Sequence, residues 1–366
     1  MVFGERREPG QELAERGPAG NPREVLEGLV LRALKRPPCV VGFSGGRDSS
    51  AILAEATRVA RAHGLDDPIP HSMRFSDAPR TVEDEWQEVT IRHLGLSSWS
   101  KRTLNDELDA LGPIAIDVIR HHGVHWPANL HTFQCLLEPA RGGALLTGNG
   151  GDELFTPWPG HRLSLLRSGR ALPRSGDMRQ LIRHTLPAPL LAEWWFRRGR
   201  LGLSWLRPTA RRAAARGLAR DSMRIERDWV AEVEGYLRSR YVEVITGTSA
   251  AMAARSDVHL VQPFLEPDYV RSVCRDAPRD GYPSRTVAMD RHFGDVLPEG
   301  VPARSTKAIF SEVFFGPRMR SFAAQWSGTG LDDSLVDAEK LRREWLAPKP
   351  QFCSLVPIQM AWLASA

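Results

Sequence analysis

The chain has 366 residues, 42% of them apolar, 25% charged and 8% aromatic, a globular composition with room for about two domains. No run approaches the ~18 apolar residues of a membrane helix, and residues 1–24 lack the apolar core of a secretory signal. The net charge of +5 is mild for this length, and cysteines scattered singly at 39, 135, 274 and 353 exclude a disulfide framework or a CxxC metal site, so a reducing cytoplasm is the expected compartment.

Residues 1–24 are polar and Pro/Gly-rich, which predicts a loose arm. Helical apolar spacing runs from Pro22 to Lys35, followed by the short β-branched run Cys39–Phe43. Ser49–His63 reads as a helix closed by Gly64, His71–Phe75 as a second strand, and Val82–Leu94 as a helix closed by Gly95. A helix over Leu130–Pro139 precedes a buried strand at Gly143–Thr147. Strands alternating with helices, with glycine turns after the strands, predict a parallel α/β sheet with ligands at the carboxyl ends of its strands. From about Leu163 onward helical patterns dominate. Within this part, the stretch 196–227 holds ten arginines against Asp221 and Glu226. It reads as a solvated helical face over tryptophans, or as a docking surface for an acidic peptide, a carrier protein or RNA.

Two glycine turns carry the chemistry. Phe43-Ser44-Gly45-Gly46-Arg47-Asp48-Ser49-Ser50 lies between a strand and a helix, where glycines admit an anion close to the backbone and the serine hydroxyls and N–H groups face it. It is a phosphate cradle without the GKS or GKT of a Walker loop. Thr147-Gly148-Asn149-Gly150-Gly151-Asp152-Glu153-Leu154-Phe155 repeats the logic after another buried strand. If the two strands are neighbours, Asp48 and Asp152 converge. Two carboxylates suit Mg²⁺, which takes few protein ligands and shares phosphate oxygens.

SGGRDSS followed by TGNGGDELF resembles the synthetase domain of the asparagine synthetase superfamily, among the PP-loop ATP pyrophosphatases. The likeness extends to Val261–Glu266, to Arg285 before an "LP" element, and to Arg304-Ser305-Thr306-Lys307, over roughly residues 38–315. It implies ATP cleavage between the α and β phosphates, an acyl-adenylate, and acyl transfer to an amine. It also implies that Ser44, Gly45, Gly46, Ser49, Ser50, Gly148 and Arg285 contact ATP or pyrophosphate, with Asp48 and Asp152 on Mg²⁺. Lys307 and Arg304 then belong to the catalytic segment, and the chain's having only five lysines (35, 101, 307, 340 and 349) makes Lys307 stand out. The domains expected are an arm over 1–24, a nucleotide-binding core over 25–160, a helical Arg/Trp-rich insertion over 161–250, and a C-terminal part over 251–366.

Three departures narrow the reading. No glutamine-hydrolysing domain precedes the cradle, and no Cys follows Met1. Asn149 stands where ammonia-using relatives carry Glu, and an amide does not take a proton from ammonium. The second turn and the stretch 165–170 look more like lasso-peptide macrolactam cyclases and natural-product amide synthetases. The resulting expectation is an ATP- and Mg²⁺-dependent ligase acting on a small-molecule or peptide substrate. The alternatives are a stand-alone ammonia-dependent asparagine synthetase, a PP-loop tRNA-modifying enzyme, which the second turn disfavours, and a non-catalytic ATP-binding scaffold. His121, His122 and His125 read as a loop rather than a metal site. Thr81–Glu85 reads as a helix cap or an ATP contact, and Trp158 as a wall of the acceptor pocket.

Overall fold

The computed structural model describes residues 20–75, 84–172, 187–198, 202–223, 226, 228–278, 280–304 and 311–366. The first helix, α1 (Pro22–Leu34), starts where Asn21 accepts the Arg23 N–H at 2.9 Å and Pro22 presets the first turn. Its buried stripe of Leu26, Leu29, Val30, Ala33 and Leu34 matches the spacing read from the sequence.

Five strands form one parallel sheet: β1 (Cys39–Gly42), β2 (Ile69–Phe75), β3 (Ser100–Leu104), β4 (Ala144–Leu146) and β5 (His259–Val261), in the spatial order β3-β2-β1-β4-β5. The pleat divides the core. Cys39, Val41, Ala144 and Leu146 pack with α1 and α2 (Arg47–Ala62) on one face. Val40 and Leu145 pack on the other with Leu130, Phe133, Leu137, Met252 and Ala253. Both faces are covered, as a parallel sheet requires.

The chain leaves β1 toward β2 and β3, then returns to build β4 and β5 on the other side. The strand order therefore reverses between β1 and β4, and the crevice at a reversal opens at the carboxyl ends of the strands. Both glycine turns stand there.

The protein thus has an α/β PP-loop fold with a mostly helical C-terminal half, as expected. Local differences have simple causes. The second strand begins at Ile69, and α2 begins at Arg47, directly after the glycines. The predicted helix over 130–139 is a chain of short turns around α5 (Phe133–Leu137), bent where Pro139 removes an N–H. Helix α3 is described over Asp84–Leu94; residues 81–83 of the Thr81–Glu85 segment lie outside the described residues. His121 and His122 end a helix, α4 (Pro113–His122), that Gly123 closes at φ 71, correcting the loop expected there. Among the described residues no three His, Cys, Asp or Glu side chains cluster as a metal site. Nor is any described helix long and apolar enough to cross a membrane.

The C-terminal helices Pro317–Gln325, Ala338–Leu346 and Leu355–Ser365 share a second core with Leu104 and Leu108, in which the Trp326 and Trp345 rings lie 4.9 Å apart. Helices Ala188–Arg197 and Pro208–Met223 form a hairpin around Leu191, Ala192, Ala215 and Ala219.

Candidate active site

The first turn is wired by its own serines. Gly45 sits at φ 80, a left-handed conformation that favours glycine. Ser44 Oγ accepts the Gly46 N–H at 3.2 Å, Ser49 Oγ accepts the Ser44 N–H at 3.2 Å, and the two hydroxyls lie 3.1 Å apart. Gln87 on α3 donates to the Ser44 carbonyl at 3.0 Å. The loop is thereby held open ahead of the 16-residue α2, whose dipole favours an anion at that end. Ser50 is fully buried, its Oγ has no partner among the described residues, and it does not line the cavity.

The second turn presses against the first. A Cβ on Gly148 would lie 2.8 Å from the Asp48 backbone, and one on Gly151 would lie 2.4 Å from Asp48 Oδ1. Gly150 adopts φ 93 under Leu265. Only glycines permit this approach, which carries Asp152 on α6 (Gly151–Phe155) to the side of Asp48.

Arg285 joins the two acids. It opens the helix Arg285–Phe293, which Ser284 caps, and its Nη2 donates to Asp48 at 2.5 and 2.6 Å while Nη1 donates to Asp152. Arg304, 5% exposed, donates to the Gly45 carbonyl, and its guanidinium lies 5.2 Å from the Trp86 ring centre. Arg47 donates to the Pro302 carbonyl at 3.3 Å. The convergence expected for Asp48 and Asp152 is therefore present, with Arg285 and Arg304 around it. Lys307 lies outside the described residues.

Beside these groups opens a cavity of about 660 Å³. Ser44, Gly46, Asp48, Ser49, Gly148, Asn149 and Asp152 line one part of it; Met73, Phe75, Trp126, Phe133 and Phe352 form an apolar wall. His71 also lines it. Its Nδ1 pairs with Ser100 Oγ at 2.8 Å, its Nε2 is buried with no partner among the described residues, and burial pushes its pKa down. Trp158 does not line this cavity. It is 7% exposed and packs in the main core.

The cavity wall also holds Glu153, Tyr236 and Tyr241, and sequence reasoning named neither tyrosine. Nothing local marks them: they sit on helices Trp229–Leu237 and Arg240–Arg255, far from both turns in the chain. The one available signal was scarcity, since the chain has only four tyrosines.

The donor set fits Mg²⁺ carried on a polyphosphate. Asp48 and Asp152 offer hard oxygen ligands, the pair is too small to cage a metal alone, and the cradle beside it leaves room for phosphate oxygens to complete the shell. No curated protein matches the chain. The asparagine synthase family model matches residues 22–364, nearly its whole length, and the chain belongs to that family as an ATP-dependent amide-forming ligase.

Proposed function

We propose that this ligase is AMP-forming: it adenylates a carboxylate with loss of pyrophosphate and passes the acyl group to an amine in peptide or natural-product biosynthesis, in the manner of a macrolactam cyclase. The observation that carries the reading is the meeting of Asp48 and Asp152 on one guanidinium beside the serine–glycine cradle. Asp48 and Asp152 would hold Mg²⁺, which offsets charge on the polyphosphate when bound. The remaining work falls to the chain. Ser44, Ser49 and the Gly45–Gly46 backbone bind the departing phosphates, and Arg304 fixes the loop through the Gly45 carbonyl. Arg285, released from the carboxylates, is placed to follow the pyrophosphate. Lys307, three residues beyond Arg304, is assigned to the oxyanion that develops at the reacting phosphate and carbonyl, where one donor is typically worth ~3–4 kcal/mol. Asn149 orients without taking a proton. An amine tethered near its acyl partner needs less help from a base, since proximity alone supplies ~7–11 kcal/mol in favourable cases.

A peptide substrate or carrier is supported by the hairpin Ala188–Arg197 and Pro208–Met223, which exposes Arg197, Arg198, Arg212, Arg216 and Arg220 beside the partly exposed Trp194. The test is isotope exchange between pyrophosphate and ATP across a panel of carboxylates and peptides. AMP and pyrophosphate are the expected products, Asp48→Ala and Asp152→Ala abolish the exchange, and ADP with phosphate would refute adenylation.

A further inference from the structure

Between α4 and the short turn Leu130–Thr132 the chain follows neither a helix nor a strand, yet Trp126, Pro127 and Asn129 of this stretch line the cavity. A segment without its own ladder of backbone hydrogen bonds takes its place from what it packs on. Here the support is the end of the chain. The helix Leu355–Ser365 packs Leu355, Ile358 and Ala361 into one core with Ala128. The turn that opens this helix carries Phe352 to the same cavity, where its ring lies 6.5 Å from that of Trp126 at 66°.

Gln359 makes the link specific. It is 1% exposed and is the one buried polar residue of its helix. Its Oε1 accepts the His125 N–H at 3.0 Å, and its Nε2 donates to the Ala128 carbonyl at 3.0 Å, with His125 Nε2 3.3 Å away. One amide therefore closes on both sides of Trp126 and Pro127, the two residues that face the cavity. His125 and Ala128 are themselves buried, so an apolar residue at 359 would leave a backbone N–H and a carbonyl without partners. An amide costs more to bury than a leucine of like size unless its hydrogen bonds are met, and here the loop meets them. Gln359 itself does not line the cavity.

We propose that Gln359 is a positioning residue of this active site: by bracketing Trp126 and Pro127 it sets where they stand against Phe352, and through it the end of the chain decides what the cavity holds. Loss of the amide then changes how tightly a ligand is held more than how fast the held ligand reacts, because Asp48, Asp152 and the serine–glycine turn stay in place. This role rests on the reading of the cavity as the site of adenylation, and one arm of its test is free of that reading.

The full chain is labelled with fluorotryptophan, and the Trp126 and Trp99 fluorine resonances are assigned by their loss in Trp126→Phe and Trp99→Phe. In Gln359→Leu without ligand, the Trp126 resonance is expected to shift while that of Trp99, whose ring meets Phe43 just before the first glycine turn, stays in place. In pyrophosphate exchange, with the carboxylate of the panel that exchanges fastest, Gln359→Leu should raise KM for ATP or for that carboxylate about tenfold and leave kcat within about threefold. The same change made in a Trp126→Ala background should have little further effect, as two residues acting through one contact require. A Trp126 resonance that does not move, a Trp99 resonance that moves as far, a loss of kcat at unchanged KM, or a full effect in the Trp126→Ala background overturns the proposal. If circular dichroism shows that Gln359→Leu does not fold, Gln359→Asn, which keeps the amide but draws it back by one methylene, replaces it in every arm. Absence of exchange in the unmodified chain counts against adenylation, and the ligand-free spectra still decide for or against Gln359.

Discussion

Arg285 grips both oxygens of Asp48, at 2.5 and 2.6 Å, with one nitrogen of its guanidinium while the other reaches Asp152. The arginine thus supplies positive charge where the two acids would otherwise repel one another. At about one-fifth exposure for Arg285 and Asp48, solvent screens this pair only partly.

A divalent ion and Arg285 should therefore compete for the same carboxylates. In nucleotide-free protein, Arg285→Gln is expected to tighten Mn²⁺ binding on the order of tenfold, ~1.4 kcal/mol, with Mn²⁺ serving as the probe in electron paramagnetic resonance titrations. The same variant should bind ATP more weakly. Unchanged or weaker Mn²⁺ binding would exclude the competition.

Gly148 and Gly217 make a matched pair. A methyl at Gly148 lands 2.8 Å from the Asp48 backbone, whereas Gly217, in the helix Pro208–Met223, has open space around it. Gly148→Ala should cost about 1–3 kcal/mol by overpacking and remove pyrophosphate exchange. Gly217→Ala should stabilise by about 0.5–1 kcal/mol with exchange intact. Urea denaturation of both variants reads the two signs.

Acid should weaken the fold before any carboxylate titrates in bulk. Burial holds His125, His131 and His292 at about 4, below the ordinary 6.5. Between those values the unfolded chain binds more protons than the folded one. Stability is thus fully present above about pH 6.5 and falls toward pH 4, each histidine costing roughly 2 kcal/mol by pH 5. His131→Gln should flatten the pH dependence of urea midpoints between pH 7 and 5. An unchanged slope would rule out His131 as a contributor.

Asn149 offers a change of substrate. Asn149→Glu places a titratable carboxylate on the cavity wall, and ammonia-dependent AMP release should rise about tenfold or more. Vigorous ammonia use by the unmodified chain would contradict the tethered-amine reading.

The parts of this fold that could be read from the chain are those whose signals are local. The apolar runs of β1 and β4 and the glycine turns behind them mark the switch point directly, because a buried strand must be apolar and a close approach needs glycine. Strand β3 (Ser100–Leu104) escaped notice because it lies at the sheet edge, where Lys101 and Thr103 stay exposed and only Leu104 is buried. Strand β5 has three residues and no alternation long enough to detect. Tyr236 reaches Glu153 only through the packing of the later helix Trp229–Leu237 against α6, a relationship that no short window of sequence contains. Trp158 was misplaced because proximity in sequence to the second turn does not decide which way a side chain faces.

The grip of Arg304 on the Gly45 carbonyl, of Arg285 on Asp48, and the place of β5 beside β4 all tie the earliest turn to segments made much later. During synthesis, a nascent polypeptide ending before residue 285 would carry the serines and Asp48 with neither arginine to secure them. Nucleotide capture is thus deferred until the segment carrying Arg285 and Arg304 has left the ribosome, so a shorter nascent chain has no finished place to spend ATP.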